Sequence, residues 1–249
     1  MKPAEILVFG AASESFSQKN INCSIEESIR RFACVVEAAH AVDVKVCGSI
    51  SCALNCPFEG DITPEKVGLV AGFMKQIGVD CISVADTTGA GTPQRVQAAL
   101  QAALDFYSVD QIKAHFHDTY GMAVANILAS LEMGIAHFDS SAAGLGGCPY
   151  APGARGNVAT EDVVYLLDGL GIETGIDLDK LVLAGQFMME LLGQPNASRT
   201  AQAVISKKGA GVLAQAKADP QFIIPSPCQN ICVMQEGLAT PLCAGCLRT

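Results

Sequence analysis

The chain has 249 residues, half of them hydrophobic and 16% charged, and its 16 Lys+Arg against 25 Asp+Glu give a formal net charge of −9. Such a composition can bury a large core and excludes a disordered chain. The acidic balance also argues against sequence-independent nucleic-acid binding, which needs a basic surface, and no apolar run approaches the roughly 20 residues of a membrane-spanning helix.

In chain order, Glu5–Phe9 reads as a buried strand; Pro3 and Glu5 interrupt any resemblance of this start to a signal peptide. Ser24 and Glu27 form an S-x-x-E capping box that opens a helix through about His40. Val44–Ile50 is the second strand, and Thr63-Pro64, an N-cap followed by proline, opens a helix to Ile77. Cys81–Val84 is the third strand, Thr92-Pro93 repeats the helix-opening pair, and Gln111–His115 is the fourth strand, with a helix to Met133. Ala136–Ser140 is the fifth, followed by a glycine-rich loop, AGLGGCPYAPGARGN, and helices near Thr160–Leu170 and from Asp177.

Strands alternating with helices predict an α/β fold with a parallel sheet. Pattern alone allows a doubly wound sheet or part of a (β/α)₈ barrel, and five strands by themselves do not close a barrel. Past Arg199 the chain turns polar and rich in small residues, so residues 1–205 are expected to form the α/β unit, 206–224 a linker and 225–249 a cysteine-rich segment.

The residues with chemical potential cluster at predicted strand ends. His115 and His117 are two apart in a strand and face the same way, at the C-terminal edge where parallel folds place active sites. Two neutral imidazoles there suit a divalent metal. Asp118 could orient a ligand or cap the next helix. Asp86, just past the third strand, projects to the same edge, as do Ser13, Glu14, Cys52, Cys56 and Glu59. In the glycine loop, Cys148 is a candidate acid/base or nucleophile, and Asn157 a helix cap or oxygen ligand. Thr160, Glu161 and Asp162 suit a helix's first turn, and His137 and Asp139 read as structural.

The 11 cysteines are not a secretory disulfide framework, because seven are scattered through the first 150 residues, so a cytoplasmic location is expected. The other four, Cys228, Cys232, Cys243 and Cys246, are spaced C-x₃-C-x₁₀-C-x₂-C, which suits Zn²⁺ or an Fe–S cluster.

The segments FGAASESFSQKNINCSIEES, SCALNCPFEGDITPEKV, HFHDTYG and AGLGGCPYAPGARGNVATED resemble the 3-hydroxy-3-methylglutaryl-CoA lyase family over about residues 4–203. The resemblance implies a (β/α)₈ barrel of which the five strands are the last five, and cleavage of 3-hydroxy-3-methylglutaryl-CoA to acetyl-CoA and acetoacetate with Mg²⁺ or Mn²⁺. It implies His115, His117 and Asn157 as metal ligands, Cys148 as the catalytic loop cysteine and Asp86 as an acidic residue in proton transfer. Relatives carry about three further βα units before Glu5, with an Arg-Asp pair and a Glu that have no counterpart here. Cys47 stands where relatives have arginine, and Arg155 replaces a small loop residue.

The C-terminal segment resembles a short bacterial cysteine-quartet family that continues beyond this chain's last residues. A chain short at both ends is therefore expected, with little lyase turnover unaided and self-association through open sheet edges. The competing readings are a non-catalytic metal-binding scaffold and another Claisen- or aldol-type barrel enzyme.

Overall fold

The structure is a computed structural model that describes residues 2–147 and 156–208. The first half of the chain runs β1 (Glu5–Ala11), α1 (Glu14–Ile21), α2 (Ile25–His40), β2 (Lys45–Ser51), a small hairpin of β3 (Asn55–Cys56) and β4 (Gly60–Asp61), then α3 (Pro64–Gln76) and β5 (Cys81–Asp86). The second half runs α4 (Pro93–Leu104), β6 (Ile112–Phe116), α5 (Ala123–Glu132), β7 (His137–Asp139), α6 (Thr160–Gly169), α7 (Leu178–Leu192) and α8 (Arg199–Lys208).

Five strands form one parallel sheet in the order β1-β2-β5-β6-β7. The spatial order follows the chain without a reversal. A doubly wound sheet has a switch point where the order turns back, so this is the arrangement of a barrel wall. Among the described residues, β1 and β7 are each paired on one side only.

The two faces of the sheet differ because successive strand residues point to opposite sides. One set, including Val8, Val46, Ile50, Ile82, Val84, Ile112, Ala114 and Phe116, joins the buried core with residues of the covering helices, such as Val67, Met74 and Leu100. Gly10 and Gly48 lie on this face because Met74 of α3 fills the space above them. A Cβ on Gly10 would meet Met74 Cε at 2.6 Å and one on Gly48 would meet Met74 Sδ at 2.5 Å. The opposite set, read across the sheet, carries most of the sheet's polar residues, Glu5, Cys47, Ser49, Cys81, Ser83, Lys113, His115 and Asp139, with Leu7, Phe9 and Ala85 between them.

Helix starts follow the predicted caps in part. Ser24 Oγ accepts from the Glu27 amide at 3.1 Å and Asp177 from Lys180 at 3.1 Å. Thr63 and Thr92 occupy N-cap positions ahead of their prolines, but neither side chain accepts a cap hydrogen bond; the Thr63 hydroxyl bonds the Glu65 carboxylate instead. Proline at the first helical position already fixes φ and removes one orphan N–H.

Three features lie outside the elements read from sequence. Ser13 caps a helix, α1, and donates to Glu59 at 2.9 Å, tying α1 to the loop after β3. The β3–β4 hairpin forms within the loop after β2, and α8 continues through Lys208, inside the segment expected to be linker. Cys228, Cys232, Cys243 and Cys246 lie outside the described residues, as do Cys148 and Arg155.

Because Met74 is fully buried against both glycines, Gly48→Ala is expected to overpack the sheet–helix interface. The expected cost is about 1–3 kcal/mol in denaturant unfolding, and Met74→Val in the same chain should recover most of it.

Candidate metal and active site

The C-terminal edge of the sheet gathers side chains from several strand ends. His115 lies in β6 and His117 immediately follows that strand, with ring centroids 5.4 Å apart. Each is held by a different partner. His115 Nδ1 meets Asp139 Oδ2 at 3.3 Å, and the same carboxylate oxygen accepts from Ser83 Oγ at 3.0 Å. The His117 imidazole is hydrogen-bonded to the backbone of Thr87, whose own hydroxyl accepts the Cys52 N–H at 2.8 Å. One ring nitrogen of His117, Nδ1, is buried with no hydrogen-bond partner.

Asn157 is far from the histidines in sequence and reaches them through backbone pairing. Residues 156–160 run along the end of the sheet: Val158 N–H donates to Phe116 at 3.0 Å, Asp118 N–H to Gly156 at 3.1 Å, and Thr160 N–H to Ser141 at 2.9 Å. His117 and Asn157 form an antiparallel bridge. The Asn157 amide Nδ2 donates to the Leu145 carbonyl at 2.9 Å, which leaves Oδ1 buried and unpartnered.

Gly156 is required by this approach, since a Cβ there would collide with the backbone oxygens of Gly144 and Gly146. An orphaned imidazole nitrogen and an orphaned amide oxygen on bridged residues, beside a second imidazole, are the donor chemistry of a divalent-cation site. In such sites the other ring nitrogen is usually tied to a carbonyl or carboxylate, as both histidines are here.

Asp86, at the end of β5, is almost completely buried. Its Oδ2 accepts the Gly91 N–H at 2.8 Å, closing the turn after the strand, while Oδ1 is buried without a partner. Burial lifts this carboxyl to about 6, against the lowering pull of the Gly91, Ala90 and Gly89 amides. His117 is displaced the other way: burial and the neighbouring His115 hold it at about 4, so it is neutral and able to ligate at physiological pH.

The remaining sequence candidates resolve as supports. Asp118 accepts the Ala123 N–H at 3.0 Å at the start of α5. Cys52 sits at φ 54°, a left-handed backbone that non-glycine residues rarely adopt, at the β2–β5 junction. Cys56 Sγ lies 3.0 Å from Ser13 Oγ. The Glu14 carboxylate accepts the Ile25 N–H at 3.1 Å.

Three residues matter more than their sequence positions suggested. Glu161, in the first turn of α6, is fully buried and both its oxygens lie 2.9 Å from the Ala143 N–H, pinning the start of the glycine loop; burial raises its pKa. Asp162 caps α8, accepting from Ser198 Oγ at 2.9 Å and Thr200 N–H at 2.8 Å. Asp139 orients His115. The only sequence signal for Glu161 and Asp162 was their place just after the glycine loop, and that position also fits an ordinary helix start.

The HMGL-like family model matches residues 1–188, and the chain belongs to that family. It is 53% identical over 203 residues to the 3-hydroxy-3-isohexenylglutaryl-CoA/hydroxy-methylglutaryl-CoA lyase of Pseudomonas aeruginosa, covering 82% of this chain and 68% of that one. It is 52% identical over 199 residues to the mitochondrial hydroxymethylglutaryl-CoA lyase of Mus musculus, covering 80% of this chain and 61% of that one. The crystal structure of the Pseudomonas aeruginosa hydroxymethylglutaryl-CoA lyase matches with a TM-score of 0.78 at 53% identity, over 82% of this chain and 68% of that chain. An Acinetobacter baumannii HMG-CoA lyase in complex with coenzyme A and 3-methylmalate matches with a TM-score of 0.76 at 32% identity, over 90% of this chain and 68% of that one.

The opposed titrations of Asp86 and His117 predict a compensation in acid stability. As pH falls through about 6, the folded state protonates Asp86 while the unfolded carboxyl waits until 3.8, which adds stability. Over the range from 6.5 to about 4 the unfolded imidazole is protonated and folded His117 is not, which removes stability. Asp86→Asn should therefore lose stability on acidification more steeply than the parent between pH 6 and 4, by about 1.4 kcal/mol per pH unit, in urea unfolding followed across that range. Parallel slopes would contradict this assignment.

Proposed function

We propose that the chain carries the metal-site half of a carbon–carbon lyase of the hydroxymethylglutaryl-CoA lyase type, which cleaves 3-hydroxy-3-methylglutaryl-CoA to acetyl-CoA and acetoacetate. The observation that carries this reading is the constellation of His115, His117 and Asn157, with the unpartnered His117 Nδ1 and Asn157 Oδ1 on bridged residues. Family membership and the coenzyme A bound by the Acinetobacter relative support an acyl-CoA substrate.

In this reading His115, His117 and Asn157 would hold a divalent cation, Mg²⁺ or Mn²⁺. When bound, such an ion polarises hydroxyl and carboxyl oxygens and lowers the hydroxyl's pKa. Asp139, the Thr87 backbone and the Leu145 carbonyl fix the three donors, so little ordering remains to be done on binding.

Asp86 is the residue with a proton affinity suited to transfer near neutral pH. Its pKa of about 6 lets it take the substrate's hydroxyl proton and give it up again. The carbanion left by carbon–carbon cleavage becomes acetyl-CoA on gaining a proton. The Cys148 thiol, in the glycine-rich stretch of the sequence, would supply it. A Zn²⁺ ion or Fe–S cluster on Cys228, Cys232, Cys243 and Cys246 and a cytoplasmic location complete the reading.

The described sheet is open at β1 and β7, and low turnover by the chain alone is expected, with self-association through those edges. The test is an assay of purified chain with 3-hydroxy-3-methylglutaryl-CoA and Mg²⁺ or Mn²⁺, alone and with an N-terminal fragment of the Pseudomonas relative. Cleavage should rise on addition of the fragment, and His117→Ala should lower the restored rate by about 10²-fold or more. Restored cleavage that ignores His117→Ala would remove the metal-site assignment. No cleavage in any combination would favour the scaffold reading.

A further inference from the structure

The polar face of the sheet carries a second cluster, at the end opposite the histidines. Cys47 of β2 and Cys81 of β5 are register partners on adjacent parallel strands, and Glu5 of β1 reaches over to them. The two sulfur atoms and a Glu5 carboxylate oxygen all lie within 4.8 Å of one another. Cys81 Sγ donates to Glu5 Oε2 at 3.4 Å, and the Lys113 ammonium pairs with Glu5 Oε1. Cys47 is fully buried, whereas Cys81 is half-buried and the Glu5 side chain is 35% exposed, so ions from solvent can reach the group.

We propose that Glu5, Cys47 and Cys81 form a second metal site, separate from the histidine site and selective for a soft divalent cation such as Zn²⁺. Two thiolates and a carboxylate are a borderline-soft donor set, which favours Zn²⁺ or Co²⁺ and does not suit Mg²⁺ or Mn²⁺. Zn–S bonds near 2.3 Å place tetrahedral ligand atoms about 3.8 Å apart, so the donors need close by only about 1 Å.

The charges also match. The three anionic ligands carry three negative charges, and the adjacent Lys113 leaves a net of two, which a divalent cation neutralises. Lys113 bonds the carboxylate oxygen not engaged with Cys81 and so orients the ligand. Loading releases the two thiol protons to solvent, and Lys113 keeps its own. Three protein ligands leave a fourth position, which water fills at the exposed side.

The test uses the full chain with Cys228, Cys232, Cys243 and Cys246 replaced by serine, so that any thiolate–metal signal comes from elsewhere. Titration with Co²⁺ under anaerobic conditions should give a thiolate-to-cobalt charge-transfer band that saturates at one equivalent. Zn²⁺ should displace the Co²⁺, and excess Mg²⁺ should not. The band should vanish in the Cys47→Ser, Cys81→Ser variant and persist in His117→Ala.

Glu5→Gln keeps the side chain's size and removes its charge, and it should weaken Co²⁺ binding by at least about tenfold. Absence of the band in the four-serine chain, its persistence without Cys47 and Cys81, or a Cys47–Cys81 disulfide in anaerobically purified chain would overturn the proposal.

Discussion

The alternation of side chains along a parallel strand is the constraint on which the rest of this structure depends. Every strand sends one set of residues into the helices and the other to the opposite face. The helix-facing set is mostly aliphatic, thinned to glycine at Gly10 and Gly48 where Met74 enters. The other set mixes apolar residues such as Leu7, Phe9 and Ala85 with most of the sheet's polar ones, so one face holds Glu5, the Cys47–Cys81 pair and Lys113 at its N-terminal end and His115 with Asp139 at its C-terminal end. Burial on the first face supplies the hydrophobic stabilisation that allows the second to be given over to chemistry.

The histidine site is then assembled by backbone hydrogen bonds that continue the sheet beyond its strands. Thr87 links the end of β2, through the Cys52 N–H, to the His117 imidazole. Residues 156–160 lie beside the ends of β6 and β7 and carry Asn157 to His117. Glu161 fixes the loop start at Ala143 from a fully buried position. These contacts leave the His117 Nδ1 and Asn157 Oδ1 atoms unpartnered in a polar, enclosed place. Burial also pushes a carboxyl and an imidazole in opposite directions, because each loses the solvation of its charged form.

Much of the frame is legible in the amino-acid sequence. Apolar runs such as ILVF and ISVA bounded by cap and turn residues locate all five strands, and proline after Thr63 and Thr92 marks two helix starts, although neither threonine side chain bonds as a cap. The spacing of His115 and His117 places both imidazoles together. Helix α1 is not legible: its run ESFSQKNI has little apolar periodicity, and it is stabilised through Ser13 and Glu59, a residue 46 positions later. The weight of Glu161 and Asp139 is equally hidden, since an acidic residue at a helix start or strand end looks the same whether it faces water or a buried N–H.

The sequence by itself determined the α/β class, the strand sequence, the histidine pair and the family, because these rest on local periodicity and on contiguous motifs. Only the tertiary structure decided the in-order sheet, the bridging of Asn157 to His117, and the meeting of Glu5, Cys47 and Cys81 from three different strands. Such encounters depend on register between segments 30 or more residues apart. Strand register is set by the combined packing of the whole apolar face, and no short stretch of sequence encodes it.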